Sequence, residues 1–255
     1  MARWTVKLAG HDFDLRALSK LYAEPECRVA KDADGVYYLT RASYAAMEGF
    51  EVDQASHAWL SIANELMRVR SLGYEPVALD GVYEVDDDGT KRHYVFLSGI
   101  ASGSSRAHAE LTVGSADGKP RPDPEPAHAQ AHLKLAEQGA KVREALTYWS
   151  RCTPGDADLC SYAYKVYEII REDMAGGQSK SVGTDEMKQR GWATKAELDD
   201  FRAWANNRAI SGERARHAGS QKIDQGVTPL SNGAALATVQ RLLSQWLDLK
   251  VQQEA

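Results

Sequence analysis

The chain has 255 residues, of which 43% are apolar and 26% are charged, and its formal net charge is −5. This composition is ordinary for a globular domain, and the sequence lacks the run of about 18 apolar residues that a membrane span requires. The first residues, MARWTVKLAGHDFDL, have no apolar segment of the secretory type. We therefore expect a cytoplasmic protein with no membrane partner.

The first half of the chain reads as a mixture of strands and helices. Apolar residues flank two Asp-Gly pairs, Asp34-Gly35 and Asp88-Gly89, and such pairs favour the tight turns of hairpins. Strands that follow one another through hairpins make an antiparallel sheet. In chain order the pattern predicts a strand at 4–10, a helix at 14–23, a hairpin at 27–40, a helix at 53–71 and a second hairpin at 76–99.

A proline-rich stretch predicts the boundary between two domains. Prolines stand at alternate positions from Pro120 to Pro126, where they exclude a helix or a central strand. Such a segment is extended and semi-rigid. We therefore predict an α+β domain over 1–113, a linker over 114–127 and a helical bundle over 128–255.

The second half predicts helices alone. Apolar residues recur at three- and four-residue spacing, and Thr194 with Glu197 forms a capping box. In the helix predicted at 156–173 the spacing places Tyr162 and Val166 inward and leaves Tyr164 and Tyr167 partly off that face. The predicted helices cover 127–150, 156–173, 194–208 and 231–251, and together they suggest a compact bundle. The fold class is α+β: a mostly antiparallel sheet with a long helix, followed by a C-terminal helical bundle.

Cysteines and histidines give little sign of a metal. The three cysteines, Cys27, Cys152 and Cys160, include no CxxC pair, so buried thiols are expected rather than a disulfide or zinc site. His128 and His132 have the i, i+4 spacing of metal ligands, but the Glu of an HExxH motif is missing. We interpret them as an exposed helix face, and we predict no metal and no cofactor.

The stretch SGERARHAG, residues 211–219, is the strongest candidate site. Arg214, Arg216 and His217 lie within four positions, and an exposed turn has no need for so dense a mixture of guanidinium and imidazole groups. Arginine offers planar donor pairs to phosphate, and histidine exchanges protons near neutral pH. Three roles stay open for these residues: structural capping, binding of a polyanion or partner, and catalysis.

Charge favours the same region for an anionic partner. Residues 1–125 hold 14 Lys and Arg against 20 Asp and Glu, a net of −6, whereas residues 126–255 hold 17 against 16, a net of +1. A polyanion is therefore expected to meet the C-terminal half. The residues that precede the stretch, Asn206, Asn207 and Arg208, extend the candidate binding surface.

The layout of residues 150–255, with YKVYEII followed by ARHA and PLS, resembles the HEPN superfamily of small helical bundles and a recurrent type of bacterial protein. Members carry an Arg and a His near their last helices, and many are RNases in toxin, antiphage or stress systems, while others are folding or interaction modules. The resemblance implies a helical bundle whose site holds His217 with Arg208, Arg214 or Arg216. Eight, two and no residues, respectively, separate these arginines from His217, which differs from the spacing in the ribonucleases.

We therefore predict a non-enzymatic binding or regulatory protein, with a role in bacterial stress response or phage defence implied by the resemblance. The candidate partners are RNA or a protein, and a homo-oligomer stays open. The alternative is a metal-independent endoribonuclease that uses Arg214, Arg216 and His217, for which acid–base geometry would be decisive.

Overall fold

A computed structural model describes residues 4–94, 126–217 and 227–254. The chain forms two compact units, Met1–Ala58 with Val77–Gln130 and Trp59–Pro76 with Ala131–Ala255. The predicted α+β class is confirmed, because the first unit holds an antiparallel sheet and the second is helical. Of the linker predicted at 114–127, all but the last two residues lie outside the described ranges.

The first unit is built on one sheet in which every described pairing is antiparallel, as predicted. The strand order is β2-β3-β4-β1-β5-β6. Both predicted Asp-Gly turns are present, with Gly35 and Gly89 in the positive-φ conformation that glycine adopts without steric cost. The strands are β1 (Trp4–Ala9), β2 (Ala23–Glu24), β3 (Cys27–Lys31), β4 (Tyr37–Arg41), β5 (Ala78–Val85) and β6 (Lys91–Tyr94).

One face of this sheet supplies the core of the first unit. Alternate residues of the strands are buried on it, as the period of two requires: Trp4, Val6, Leu8, Val29, Leu39 and Val82. Helix α1 (Asp12–Leu21) packs against β3. The long helix α2 (Gly49–Arg70) begins in this unit, where Ser56 is buried and its hydroxyl lies 2.6 Å from that of Tyr44.

The opposite face carries stacked aromatic rings. Tyr83 and His93 pair across β5 and β6 with their ring centroids 4.6 Å apart, and Tyr38 meets Tyr83 edge-on. Gly81 makes this arrangement possible, because a Cβ there would lie 2.6 Å from Nε2 of His93. The Lys91 ammonium lies 3.7 Å from the centroid of the Tyr38 ring.

The second unit is organised around helix α5, which packs against α4, α6, α7 and α9. The helix predicted at 231–251 is confirmed as α9, and its buried residues recur at helical spacing: Leu236, Val239, Leu242, Leu243, Trp246 and Leu247. None of the helices in the described ranges has the length and apolar character needed to cross a membrane. The helices are α3 (Pro126–Gln138), α4 (Ala140–Ser150), α5 (Leu159–Met174), α6 (Lys180–Gln189), α7 (Lys195–Asn206), α8 (Arg208–Ser211) and α9 (Asn232–Glu254).

Two helix predictions in this half were wrong. The single helix predicted at 127–150 is interrupted at Gly139, whose backbone is extended and lies so close to the carbonyl oxygen of Leu135 that a Cβ would be 2.9 Å from it. No helix is predicted between 173 and 194, but helix α6 lies in this interval. Its polar sequence, KSVGTDEMKQ, buries only Gly183 and Met187, so it shows little apolar periodicity.

The orientation predicted for the tyrosines of α5 was also wrong. Tyr164 and Tyr167 are buried, whereas Tyr162 is half-exposed. The spacing within α5 predicts one inward face, but a helix with neighbours on several sides has a wide buried surface. Tyr164 stacks on Phe201 of α7 with 8° between the rings and contacts Tyr167.

Candidate functional site

The predicted site lies where α7 ends and the chain turns back. Asn207 is buried, and its side-chain oxygen accepts a hydrogen bond from the backbone N–H of Ala209, so it caps α8. This local side-chain bond is the reason that asparagine favours such a position. Asn206 instead donates its side-chain amide to the carbonyl of Arg202, one turn earlier in α7. The two asparagines therefore shape the chain reversal.

The segment that follows α8 is tied to α7 by hydrogen bonds. The Ser211 hydroxyl donates to the carbonyl of Trp204 at 2.5 Å, and the backbone N–H of Arg216 donates to the carbonyl of Ala205 at 2.9 Å. Gly212 adopts a positive φ between α8 and a short 3-10 turn. The described part of this stretch, up to His217, is therefore bonded to the end of α7.

Of the predicted site residues, Arg216 is the one whose side chain contacts helix α5. Its guanidinium carbon lies 4.3 Å from the centroid of the Tyr164 ring, which is the geometry of a cation–π contact. Its Nη2 lies 3.9 Å from Oε2 of Glu168, one turn further along α5. Because Tyr164 is itself fixed against Phe201, the ring is a rigid support for the guanidinium.

Glu168 brings further cations to the same place. Its Oε1 accepts a hydrogen bond from Nη2 of Arg171 at 3.4 Å and lies 3.9 Å from Nζ of Lys180. Arg171 is buried beside the Tyr167 ring, at 5.1 Å from its centroid, and its Nε has no hydrogen-bond partner among the described residues. We call Glu168, Arg171, Lys180 and Arg216 the Glu168 cluster.

The other predicted site residues do not converge on this cluster. Arg208 and Arg214 are exposed, and Arg208 lies 3.8 Å from Glu213 of the same loop. His217 is exposed, and within the part of the chain that the structure describes no hydrogen bond or ion pair is recorded for its ring. An acid–base pair is therefore not assembled around His217 by the described residues.

Sequence reasoning missed the residues of α5 and α6 that complete the site. Tyr164 and Glu168 stand at i, i+4, and Glu168 and Arg171 at i, i+3, so their shared helix face could have been found from spacing alone. That this face meets Arg216, 48 positions after Glu168, depends on the packing of α7 against α5. Periodicity does not specify which face of one helix meets another.

The cysteines are buried, as the sequence predicted. All three are buried and free. Burial raises the pKa of the Cys152 thiol to about 12. Burial also raises the pKa of Cys160, although Ser211 and the nearby positive charge of Arg214 act in the opposite direction. A raised thiol pKa removes the thiolate that nucleophilic or redox chemistry needs.

The interpretation of His132 as part of an exposed helix face was wrong. The ring is buried, and its Nε2 lies 3.1 Å from Oδ1 of Asp248 on α9. The buried side of α3 also carries Ala129 and Ala136, and small residues of this kind weaken the apolar pattern that would have revealed it. Imidazole and carboxylate are groups that bind metal ions, so among the described residues of the second unit His132 and Asp248 could serve as ligands.

Comparison of the chain with protein-family models, with curated proteins and with solved structures finds no match.

Proposed function

We propose that the protein is a non-enzymatic binding protein whose helical unit binds RNA through the loop 206–217. The observation that carries the proposal is the position of Arg216, held on the Tyr164 ring with Arg208 and Arg214 exposed in the same loop. A guanidinium supported by an aromatic ring loses less conformational freedom when it binds, and its planar N–H groups match phosphate oxygens.

Binding is favoured over cleavage by what surrounds His217. Metal-independent RNA cleavage needs one group to take the proton of the attacking hydroxyl and another to protonate the leaving oxygen, both within hydrogen-bond reach. His217 is the one histidine of the loop, and the spacing to its arginines differs from that of the HEPN ribonucleases. We assign His217 to the binding surface, and we take the setting in bacterial stress response or phage defence from the resemblance alone.

The test is a binding titration with a labelled single-stranded RNA at several salt concentrations. Arg214→Ala and Arg216→Ala should each weaken binding and flatten the dependence of log K on log salt by about one unit, because each removes one phosphate contact. Arg151→Ala is the matched control, since Arg151 is also an exposed arginine beside a tyrosine of α5, 5.6 Å from the Tyr162 ring.

The same samples separate binding from cleavage. RNA recovered intact after incubation with the wild-type protein supports a binding protein. RNA that the wild type cleaves and His217→Ala leaves intact would establish the endoribonuclease alternative. Absence of RNA binding at low salt, or an equal loss of binding in Arg151→Ala, would contradict the assignment of the loop.

A further inference from the structure

The arrangement of charges around Glu168 is unusual for a carboxylate on a binding surface. Among the described residues, its two oxygens face three cations: Oε1 faces Arg171 and Lys180, and Oε2 faces Arg216. Glu172, the next acidic residue of α5, lies 3.2 Å from Lys180. With Glu172 included, three cations face two carboxylates, so a net positive charge remains.

The three contacts of Glu168 differ in kind. Arg171 is buried and hydrogen-bonded to it, which anchors the carboxylate. Arg216 and Lys180 each lie 3.9 Å from the carboxylate, beyond the distance of an N–H···O hydrogen bond, whereas Arg171 lies nearer, at 3.4 Å. These two cations are attracted to Glu168 without being hydrogen-bonded to it. Lys180 also lies 3.2 Å from Oε1 of Glu172, but its ammonium has three N–H donors, so both cations can still donate to another acceptor.

Solvent access favours the same two cations. The side chain of Arg216 is 32% exposed and that of Lys180 is 58% exposed, whereas the Arg171 side chain is 9% exposed. A phosphate of a bound RNA can therefore reach Arg216 and Lys180 but not Arg171. Exposed ion pairs contribute little to stability, so exchanging their carboxylate for a phosphate costs little.

We propose that Glu168 is an internal competitor for a phosphate group of the RNA. In the free protein its carboxylate attracts Arg216 and Lys180, and on binding a phosphate takes over both cations while Glu168 keeps its hydrogen bond with Arg171. The competition lowers affinity for any single phosphate and so makes binding depend on several contacts along the RNA. This inference rests on the proposed function, because the phosphate it names belongs to the RNA bound by the loop.

The first measurement is the affinity of Glu168→Gln for the same single-stranded RNA. Removing the competing charge should tighten binding by about two- to fivefold, the range that corresponds to one exposed ion pair. Glu186→Gln is the matched control, because it removes one negative charge from α6 at a glutamate paired with Arg190, 3.6 Å away. Equal affinities of Glu168→Gln and Glu186→Gln would overturn the proposal.

The second measurement needs no RNA. Phenylglyoxal modifies accessible arginines, and mass spectrometry of the peptides reports the rate at Arg216 with Arg151 as the internal reference. Glu168→Gln should raise the rate at Arg216 and leave the rate at Arg151 unchanged, and an unchanged rate at Arg216 would contradict the competition. If no variant binds RNA, the proposed function fails, whereas this rate still reports whether Glu168 restrains Arg216.

A second variant covers the case in which Glu168→Gln does not fold, as judged by its thermal melting. Glu168→Asp keeps the charge but withdraws it by one methylene group from Arg216. The RNA affinity of Glu168→Asp should lie between that of the wild type and the tighter affinity expected for Glu168→Gln. The modification rate at Arg216 should lie between the wild-type rate and the faster rate expected for Glu168→Gln. Wild-type values for both measurements would overturn the proposal.

Discussion

Lys91 and Asp32 form an ion pair, 3.1 Å from Nζ to Oδ2, between parts of the sheet that are not neighbours. Asp32 follows β3, and Lys91 begins β6, which is separated from β4 by β1 and β5 in the sheet. The pair therefore joins the turn after β3 to the start of β6 across the twisted sheet. The backbone N–H of Val36 and the Lys91 ammonium hold the pKa of Asp32 below its ordinary value.

Lys91→Met should loosen β6 without unfolding the first unit. The variant keeps the aliphatic stem but loses the charge that bonds Asp32 and contacts the Tyr38 ring. Amide hydrogen exchange in β6 should become faster, while global stability should change by less than about 1 kcal/mol because the pair is partly exposed. Arg92→Met is the control, since Arg92 pairs with Asp86 inside the same hairpin. Equal exchange in the two variants would exclude a role for the long-range pair.

Trp246→Ala should destabilise the second unit by about 3–5 kcal/mol, the usual loss for a buried tryptophan. The ring is fully buried in α9, and its Nε1 donates to Oδ2 of Asp173 at 3.0 Å. Trp246→Phe should cost less, because it keeps most of the apolar volume and loses the hydrogen bond. Urea denaturation measures both losses, and a midpoint unchanged by Trp246→Ala would contradict the burial.

Gly183→Ala should be strongly destabilising, because a Cβ at this position would lie 1.9 Å from the carbonyl oxygen of Arg171. Overpacking of a core costs about 1–3 kcal/mol and sometimes more, and here the obstacle is backbone of α5. Gly233→Ala is the matched helical control, since its nearest neighbour would be 4.0 Å away, and it should be neutral or stabilising. Thermal melting measures the stability of the two variants. Equal melting temperatures would show that α5 and α6 do not pack this closely.

Glu65 makes stability depend on pH in a predictable direction. Burial raises the pKa of its carboxyl from 4.5 to about 7, although Ser150 and Arg68 act against the shift. The folded protein therefore binds this proton more tightly than the unfolded chain does. The contribution of this tighter proton binding to the free energy of unfolding is fully present below pH 4.5 and is lost as the pH rises to about 7.

Glu65→Gln should therefore stabilise the protein at pH 8.5 and have little effect at pH 4, as measured by chemical denaturation at both values. Glu144→Gln on the exposed side of α4 is the control and should change stability equally little at both. A stabilisation by Glu65→Gln that is the same at the two pH values would contradict the raised pKa.

The strands and the main helices could be predicted because their patterns are local. Alternation of apolar residues and Asp-Gly pairs is enough to predict β3, β4 and their turn, and the capping box of Thr194 and Glu197 marks the start of α7, where both of its hydrogen bonds are present. Helix α6 escaped prediction because it is held by the close approach of Gly183 to α5, and a glycine in a polar stretch indicates a loop by local rules.

The site was predicted only in part for a similar reason. A dense group of arginines and a histidine indicates a functional loop, but the ring that supports Arg216 comes from α5. Tyr164 and Tyr167 are both buried because several helices pack on α5, a fact that no single helical face predicts. Which of the arginines becomes fixed is decided by tertiary packing, which brings Glu168 to Arg216.

Arg68 shows how the order of synthesis constrains folding. It lies in the second half of α2, and it donates to the carbonyls of Ser150 and Cys152 at the end of α4, more than 80 residues later in the chain. Its neighbours Leu66 and Met67 are buried in the folded protein and belong to the second unit. On the ribosome this half of α2 therefore emerges well before the carbonyls that Arg68 bonds, and apolar side chains that wait for later parts of their own unit are exposed to aggregation in that interval.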